Sequence, residues 1–315
     1  MTVHGFRLAT FHVTPHYKPS VDLDFDDPQF GVDKLRGVIR DLLVGLKSAG
    51  DVDDKASDYL RIDEVKDDAW RIVLDVSGGA YGEVLEIVDT ATHTPKGTVS
   101  STDALLREGL VILVIPPAGT RGLSISQVMG GHHHGVPFAN RLSSLLKTKL
   151  NLSLRVESDI ADSVAWLNLL AKKDSFVTEV DLFNSLGSAD RTSFSAPGIK
   201  KAQVRIFLEP GSTTEKIVSR TIKSNIKNGK KAGLVGLVGL SGVSDSNFPE
   251  QGAIIVHDNV QRKIQVDQDA PRFTYVTGDV KLERPDFIAA VESAASDTLD
   301  ELQVQHPANW WPTKI

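Results

Sequence analysis

The densest group of chemically active side chains in this sequence is a run of cations between residues 194 and 231. The run contains nine Lys or Arg residues and two Asp or Glu residues, which gives a local charge of +7. The whole chain carries a net charge of −6, so this basic stretch is a local feature and not a consequence of composition. Phosphate backbone is the polyanion that such a stretch predicts. The predicted DNA-binding residues are Lys200, Lys201, Arg205, Lys216, Arg220, Lys223, Lys227, Lys230 and Lys231.

A strand and a helix are predicted to position these cations. Apolar and other side chains alternate over residues 203–208, which is typical of a strand with one apolar face. Pro210 and Gly211 predict a turn, and Ser212 with Glu215 fits a capping box at a helix start. Asn228-Gly229 predicts the end of that helix.

The predicted helix separates its cations from its apolar residues. At about 100° per residue, Lys216, Arg220, Lys223 and Lys227 share one face, with Val218, Ile222 and Ile226 roughly opposite. No Asp or Glu follows Glu215 to balance the cations, and unbalanced like charges destabilise a helix. This favours an anionic partner. The alternative is an ordinary solvated face of an amphipathic helix.

A second candidate chemistry is metal-dependent cleavage of nucleic acid. Asp54, Glu64 and Lys66 match the short Asp…Glu-x-Lys pattern in which two carboxylates hold a divalent metal and Lys orients water. However, Lys66 falls in a predicted hairpin turn, away from any visible cleft. The chain has no Cys and no G-x-S-x-G motif. We therefore predict that the protein is not an enzyme and keep a nuclease as the alternative.

Two other segments superficially suggest metal binding. The acidic segment from Asp22 to Asp27 begins like a calcium loop, but Asp27 replaces the required Gly and Asp33 replaces the bidentate Glu. His132, His133 and His134 are consecutive, and consecutive side chains on extended backbone point to opposite faces. We predict a solvated loop for the acidic segment. For the histidines we predict a mobile loop, with a pH- or phosphate-sensitive contact as the alternative. No metal and no cofactor are predicted.

Two further segments bear on partners. Trp310 and Trp311 form an aromatic pair that must pack back or meet a partner, so a protein-binding adaptor without DNA contact is a third possible class. Residues 233–242 place Gly at every third position, which indicates close backbone packing or a flexible arm. Two basic patches on one dimer would bind DNA more tightly than one, so we predict a homodimer.

Composition indicates an ordinary globular protein. The 315 residues are 41% hydrophobic and 24% charged, and no apolar run is long enough to cross a membrane. With no visible signal peptide, we predict a cytoplasmic location. The alternating strand and helix patterns predict a two-domain α+β fold with antiparallel sheets. The predicted parts are a domain over residues 1–150, a second domain with the basic strand and helix over 151–284, and a C-terminal helix and tail over 285–315 that packs back on the first domain.

Several scattered segments resemble the RexA-like exclusion proteins of temperate phages such as lambda. They are the opening Gly5-Phe6-x-x-Ala9-Thr10, Asp58-Tyr59-Leu60, an apolar strand before Gly119-Thr120-Arg121, and residues 182–188 followed by the strand, turn and basic helix. The resemblance covers roughly residues 5–231 and has no single diagnostic motif. It implies an RdgC-like fold and a dimeric, largely sequence-independent double-stranded DNA-binding protein. It also implies a function in phage exclusion, an antiviral defence, possible lysogeny control, and a functional link to a RexB-like membrane protein.

Overall fold

The computed structural model describes residues 4–53, 57–130, 132–185, 201–228, 233–240, 244–257, 260–265, 272–307 and 309–312. The chain divides into two compact units. Unit 1 comprises Met1–Ser158 and Thr274–Ile315, and unit 2 comprises Asp159–Phe273. This division differs from the predicted limits at residues 150 and 284. The reason is that the strands which precede and follow unit 2 in the sequence both pair with the first strand of unit 1.

The described residues form helices and strands as follows. The helices are α1 Lys34–Gly45, α2 Gly135–Leu150, α3 Asp159–Ala171, α4 Thr213–Asn228 and α5 Arg284–Glu301. The strands of the first part are β1 His4–Pro15, β2 Gly50–Asp53, β3 Asp58–Asp68, β4 Arg71–Ala80, β5 Leu85–Val88, β6 Pro95–Val99, β7 Arg107–Val114, β8 Gly122–Met129, β9 His132–His133 and β10 Leu152–Glu157. The later strands are β11 Phe176–Ser185, β12 Lys201–Phe207, β13 Glu250–His257, β14 Val260–Gln265 and β15 Tyr275–Gly278.

Unit 1 is built on an antiparallel sheet with the strand order β10-β1-β8-β7-β4-β3-β2. In addition, β15 pairs with β1 and β9 pairs with β8. Inward-facing residues of the sheet pack with α1 and α2 in one hydrophobic core, which includes Phe11, Leu74, Leu113, Ile39 and Leu142. β5 and β6 form a separate two-stranded hairpin.

The C-terminal helix and tail belong to unit 1. Phe287 of α5 meets Phe6 of β1 edge to face, with ring centroids 6.2 Å apart. Trp310 and Trp311 are both buried, and the Trp311 indole donates to the carbonyl of Ile288 at 3.1 Å. The fully buried Arg71 guanidinium lies 4.6 Å from the centre of the Trp311 ring. The tryptophan pair therefore packs against residues of its own unit.

Unit 2 is a four-stranded antiparallel sheet with the order β12-β11-β13-β14. α3 packs against α4, and α4 packs against β11. The core between them holds five fully buried apolar residues, which are Val177, Val180, Leu182, Val218 and Ile222. Because side chains alternate along a strand, Glu179 and Asp181 face the side of the sheet opposite Val180, and a register irregularity between Val177 and Glu179 interrupts this alternation.

The predicted fold class is confirmed. Helices cover antiparallel sheets in both units, and every described strand pairing is antiparallel. Among the described helices, no α-helix has both the length and the apolar character needed to cross a membrane.

Candidate nucleic-acid interface

The start of α4 follows the predicted turn and cap, with one difference. Gly211 adopts a positive φ of 77°, and the Ser212 hydroxyl accepts a hydrogen bond from the Glu215 backbone N–H at 3.2 Å. The Glu215 carboxylate does not complete the capping box. It is buried and accepts from the backbone N–H of Val177 at 3.1 Å, so it serves the start of β11. The predicted reciprocal half of the capping box is therefore wrong.

The orientation of α4 matches its sequence pattern. Val218 and Ile222 are fully buried, and Ile226 is half-buried. On the other side, Lys216, Arg220 and Lys227 are exposed, and Lys223 is half-buried. We call Lys216, Arg220, Lys223 and Lys227 the α4 cation row. At about 100° per residue they lie within an arc of about 60°, and at about 1.5 Å per residue the row is about 16 Å long.

The row is electrostatically unbalanced. None of its four side chains forms an ion pair with any residue in the described part of the chain. Glu215, the only acid in α4, points into unit 2 and is engaged by Val177. Neighbouring cations three or four residues apart repel one another by a few tenths of a kcal/mol per pair. An anion placed along the row would relieve this repulsion.

Arg205 does not join the row. It lies opposite Asp181 in the pairing of β12 with β11, on the face of the sheet away from Val180 and Leu182. Its Nε atom is 2.8 Å from the Glu179 carboxylate and 3.1 Å from that of Asp181. The ammonium of Lys263 lies 3.2 Å from Asp181. We call Glu179, Asp181, Gln203, Arg205 and Lys263 the sheet-face cluster.

The two acids of the sheet-face cluster have opposite pKa shifts. Both carboxylates are buried beneath the longer side chains. Burial, with the neighbouring Asp181 charge, raises the pKa of Glu179. Burial also acts to raise the pKa of Asp181, but hydrogen bonds from Lys263, Gln203 and Arg205 outweigh it and lower that pKa. Asp181 therefore keeps its negative charge to a lower pH than an ordinary Asp, whereas Glu179 takes up a proton at a higher pH than an ordinary Glu.

The four remaining predicted DNA-binding residues lie at or beyond the edges of the described ranges. Lys200, Lys230 and Lys231 lie outside the described residues, and for Lys201 the backbone alone is described, at the start of β12. Sequence reasoning missed Lys172 and Lys173, which are exposed in the turn between α3 and β11. That turn precedes Val177 by a few residues, and the Val177 N–H binds Glu215 in the first turn of α4. The strand that follows this turn thus contacts the first turn of α4, on the buried side that carries Glu215.

The alternative nuclease residues have other contacts. Asp54 lies outside the described residues, and β3 extends through Asp68, so Lys66 lies in a strand and the predicted hairpin turn there is wrong. The same nitrogen of Arg284 donates to Glu64 at 2.5 Å and also to Asp75. Burial raises the pKa of Asp75. In the described part of the chain, no group of three or more His, Cys, Asp or Glu side chains could hold a metal ion.

The three histidines are not in a loop, contrary to prediction. His132 and His133 form β9, and His134 is buried at the start of α2, with Nε2 2.8 Å from the carbonyl of Arg107. Burial lowers the pKa of His134, so the side chain is neutral and Nε2–H donates to that carbonyl.

The described part of the Gly-rich run is packed and held by side chains. Leu234 and Val235 are fully buried. The Leu234 N–H binds Gln251 at 2.9 Å, and the Val235 N–H binds Asp245 at 3.1 Å. A Cβ atom added at Gly233 would lie 2.4 Å from the Asp245 carboxylate, so the backbone approaches closely there. The close-packing interpretation therefore applies at Gly233, whereas a Cβ atom added at Gly236 or Gly239 would meet nothing within 4 Å.

Comparison with protein-family models, with curated proteins and with solved structures finds no match. The resemblance to RexA-like proteins and to the RdgC fold therefore stays a prediction.

Proposed function

We propose that this protein binds double-stranded DNA through the α4 cation row and does so largely without regard to sequence. The observation that carries the proposal is a row of four cations on one helix, unpaired within the described part of the chain, while the acid of the same helix is buried. Lys and Arg side chains that contact phosphates release condensed counterions from DNA, and this release supplies the affinity. Contacts to phosphate position a protein but carry no sequence information.

Salt dependence tests this proposal. About five phosphate contacts predict that log K falls with log salt at a slope of about −4 to −5. The double substitution Arg220→Ala with Lys223→Ala should flatten the slope by about two units, at about 0.9 per contact, and weaken binding by about 60-fold at 0.1 M salt. Fluorescence anisotropy with duplexes of different sequence measures both quantities. All duplexes should weaken alike.

Lys147→Ala with Lys149→Ala is a matched control. Both lysines are exposed in the last turn of α2 in unit 1, so this variant loses the same charge from a different helix. Its slope should equal that of the unchanged protein. If the α4 variant also keeps its affinity and slope, the row is only a solvated face and the proposal fails.

The same titration can test for hydrolysis. We propose no hydrolytic step, since Glu64 binds Arg284 and Lys66 lies in a strand. Incubation with magnesium or manganese should leave the DNA intact. Metal-dependent cleavage that is lost in Glu64→Ala would instead support the nuclease alternative.

We also propose a homodimer, because two rigidly linked patches raise the effective concentration of phosphate-binding groups. Light scattering should give about twice 34.2 kDa. A clean monomer at micromolar concentration would contradict it. Action in phage exclusion and a link to a RexB-like membrane protein are proposals that the sequence resemblance supports, and a cytoplasmic location is proposed as well. Plating of superinfecting phage on cells with and without the α4 variant tests the first of these.

A further inference from the structure

The distribution of charge around α4 is one-sided. The four cations of the row lie within about 60° of one another. One flank of the row carries Ser219 and Ile226, which are half-buried and uncharged, and the opposite face of the helix is buried in the core of unit 2. The other flank carries Thr213, Ile217 and Ser224, which are exposed and uncharged. The helix therefore presents a single ridge of positive charge.

A single ridge does not fit the interior of a groove. A helix in the major groove, which is about 12 Å wide, lies between two phosphate backbones and needs donors on both flanks. It also needs side chains that read base edges. The exposed Asn228 is engaged locally, since its amide donates to the carbonyl of Ser224 at 2.7 Å. The exposed flank thus offers neither a second set of cations nor a free amide for bases.

We infer that α4 lies along one sugar–phosphate strand, outside the grooves, and that the site accepts single-stranded DNA as well as duplex DNA. This inference rests on the proposed function and names its substrate class. The row is about 16 Å long, and phosphates of one strand repeat about every 3.4 Å along the duplex axis. Because the strand also winds around that axis, its successive phosphates lie farther apart than this axial rise, and the row spans a few successive phosphates of one strand.

The turn with Lys172 and Lys173 extends the same track. These lysines are exposed, and neither forms an ion pair with a residue in the described ranges. The turn leads to Val177, whose N–H is bound by Glu215 beside Lys216. The exposed Asp174 in the same turn offsets part of the added charge. The contribution of this turn should therefore be smaller than that of two residues of the row.

Duplex DNA should still bind more tightly than a single strand. The sequence of α4 has no aromatic residue, so it cannot stack on the unpaired bases that single strands offer. The charge density of a single strand is also lower, and each phosphate contact contributes a salt slope of about −0.7, against about −0.9 for duplex. The ratio of the two slopes should therefore be about 0.8 if the same contacts form.

The test compares three labelled DNAs of one sequence by salt titration. They are a single strand, the plain duplex, and a duplex whose major groove is filled by glucosylated 5-hydroxymethylcytosine. The affinity for the filled duplex should be within about twofold of the affinity for the plain duplex. Arg220→Ala with Lys223→Ala should flatten the slope by about 1.8 units on duplex and about 1.4 units on the single strand. Lys172→Ala with Lys173→Ala should flatten both slopes by about one unit, and Lys147→Ala with Lys149→Ala should change neither.

The outcomes separate this inference from the proposed function. Binding of plain duplex with no binding of the single strand, or a tenfold loss on the filled duplex, would overturn the single-strand track and leave duplex binding intact. Unchanged slopes for the Lys172 and Lys173 variant would overturn the extension of the track. Failure to bind any of the three DNAs would overturn both the inference and the proposed function.

Discussion

Unit 2 holds two groups of cations that differ in what neutralises them. In the sheet-face cluster, Arg205 and Lys263 lie within 3.2 Å of the buried Asp181 carboxylate. In the α4 cation row, no described acid lies within ion-pair distance of any member. The cations of both groups are partly exposed, and Arg205 was predicted to bind DNA on the same grounds of charge as the row. A count of cations therefore does not identify an anion-binding site. The site is identified by whether the fold places acidic partners beside those cations.

The largest expected effect comes from removing the whole row. Replacing Lys216, Arg220, Lys223 and Lys227 by Gln should weaken duplex binding about 4,000-fold at 0.1 M salt, because about four counterion-releasing contacts are lost. The free energy of unfolding of the same variant should stay equal or rise by up to about 1 kcal/mol, since three like-charge pairs are removed. Anisotropy and urea unfolding measure the two changes. A variant that loses stability along with affinity would indicate a folding defect and not a lost contact.

A smaller effect, on stability alone, is expected from breaking the sheet-face cluster. Asp181→Ala removes the buried acceptor of Arg205, Gln203 and Lys263. The free energy of unfolding should fall by about 2 kcal/mol, while the salt slope of DNA binding stays unchanged. Asp174→Ala is the matched control, because Asp174 is exposed in the same unit, and it should stay within about 0.5 kcal/mol. A larger change in DNA affinity than in stability would contradict the separation of the two groups.

The smallest effect is a pH dependence confined to the cluster. The pKa of Asp181 is below its ordinary 3.8, so below that pH the unfolded chain binds the proton first and stability is lost. The pKa of Glu179 is above its ordinary 4.5, so the folded state binds the proton first and stability rises as the pH falls towards 4.5. Glu179→Gln should abolish this rise and leave the loss below pH 3.8. Urea unfolding between pH 7 and pH 3 measures both, and an unchanged rise in the variant would assign it to another group.

The α4 helix could be predicted from sequence because its signals are local. Ser212 directly precedes the helix, the periodic apolar residues and Asn228 lie within it, and the structure places its ends at Thr213 and Asn228. The role of Arg205 could not be predicted, because its acidic partners lie on another strand and only the register of β11 with β12 brings them together. The same applies to Trp311, whose partner Arg71 is remote in sequence. Lys172 and Lys173 were missed because a pair of lysines in a turn carries no periodic signal.

The most direct test replaces one arginine from each group by the same residue. Arg220→Gln and Arg205→Gln remove the same charge from the same unit, but only Arg220 belongs to the unpaired row. Salt titration of duplex binding should show a slope flattened by about 0.9 for Arg220→Gln and an unchanged slope for Arg205→Gln. Equal changes in the two variants, or a change for Arg205→Gln alone, would contradict the claim that the unpaired cations of α4 bind phosphate.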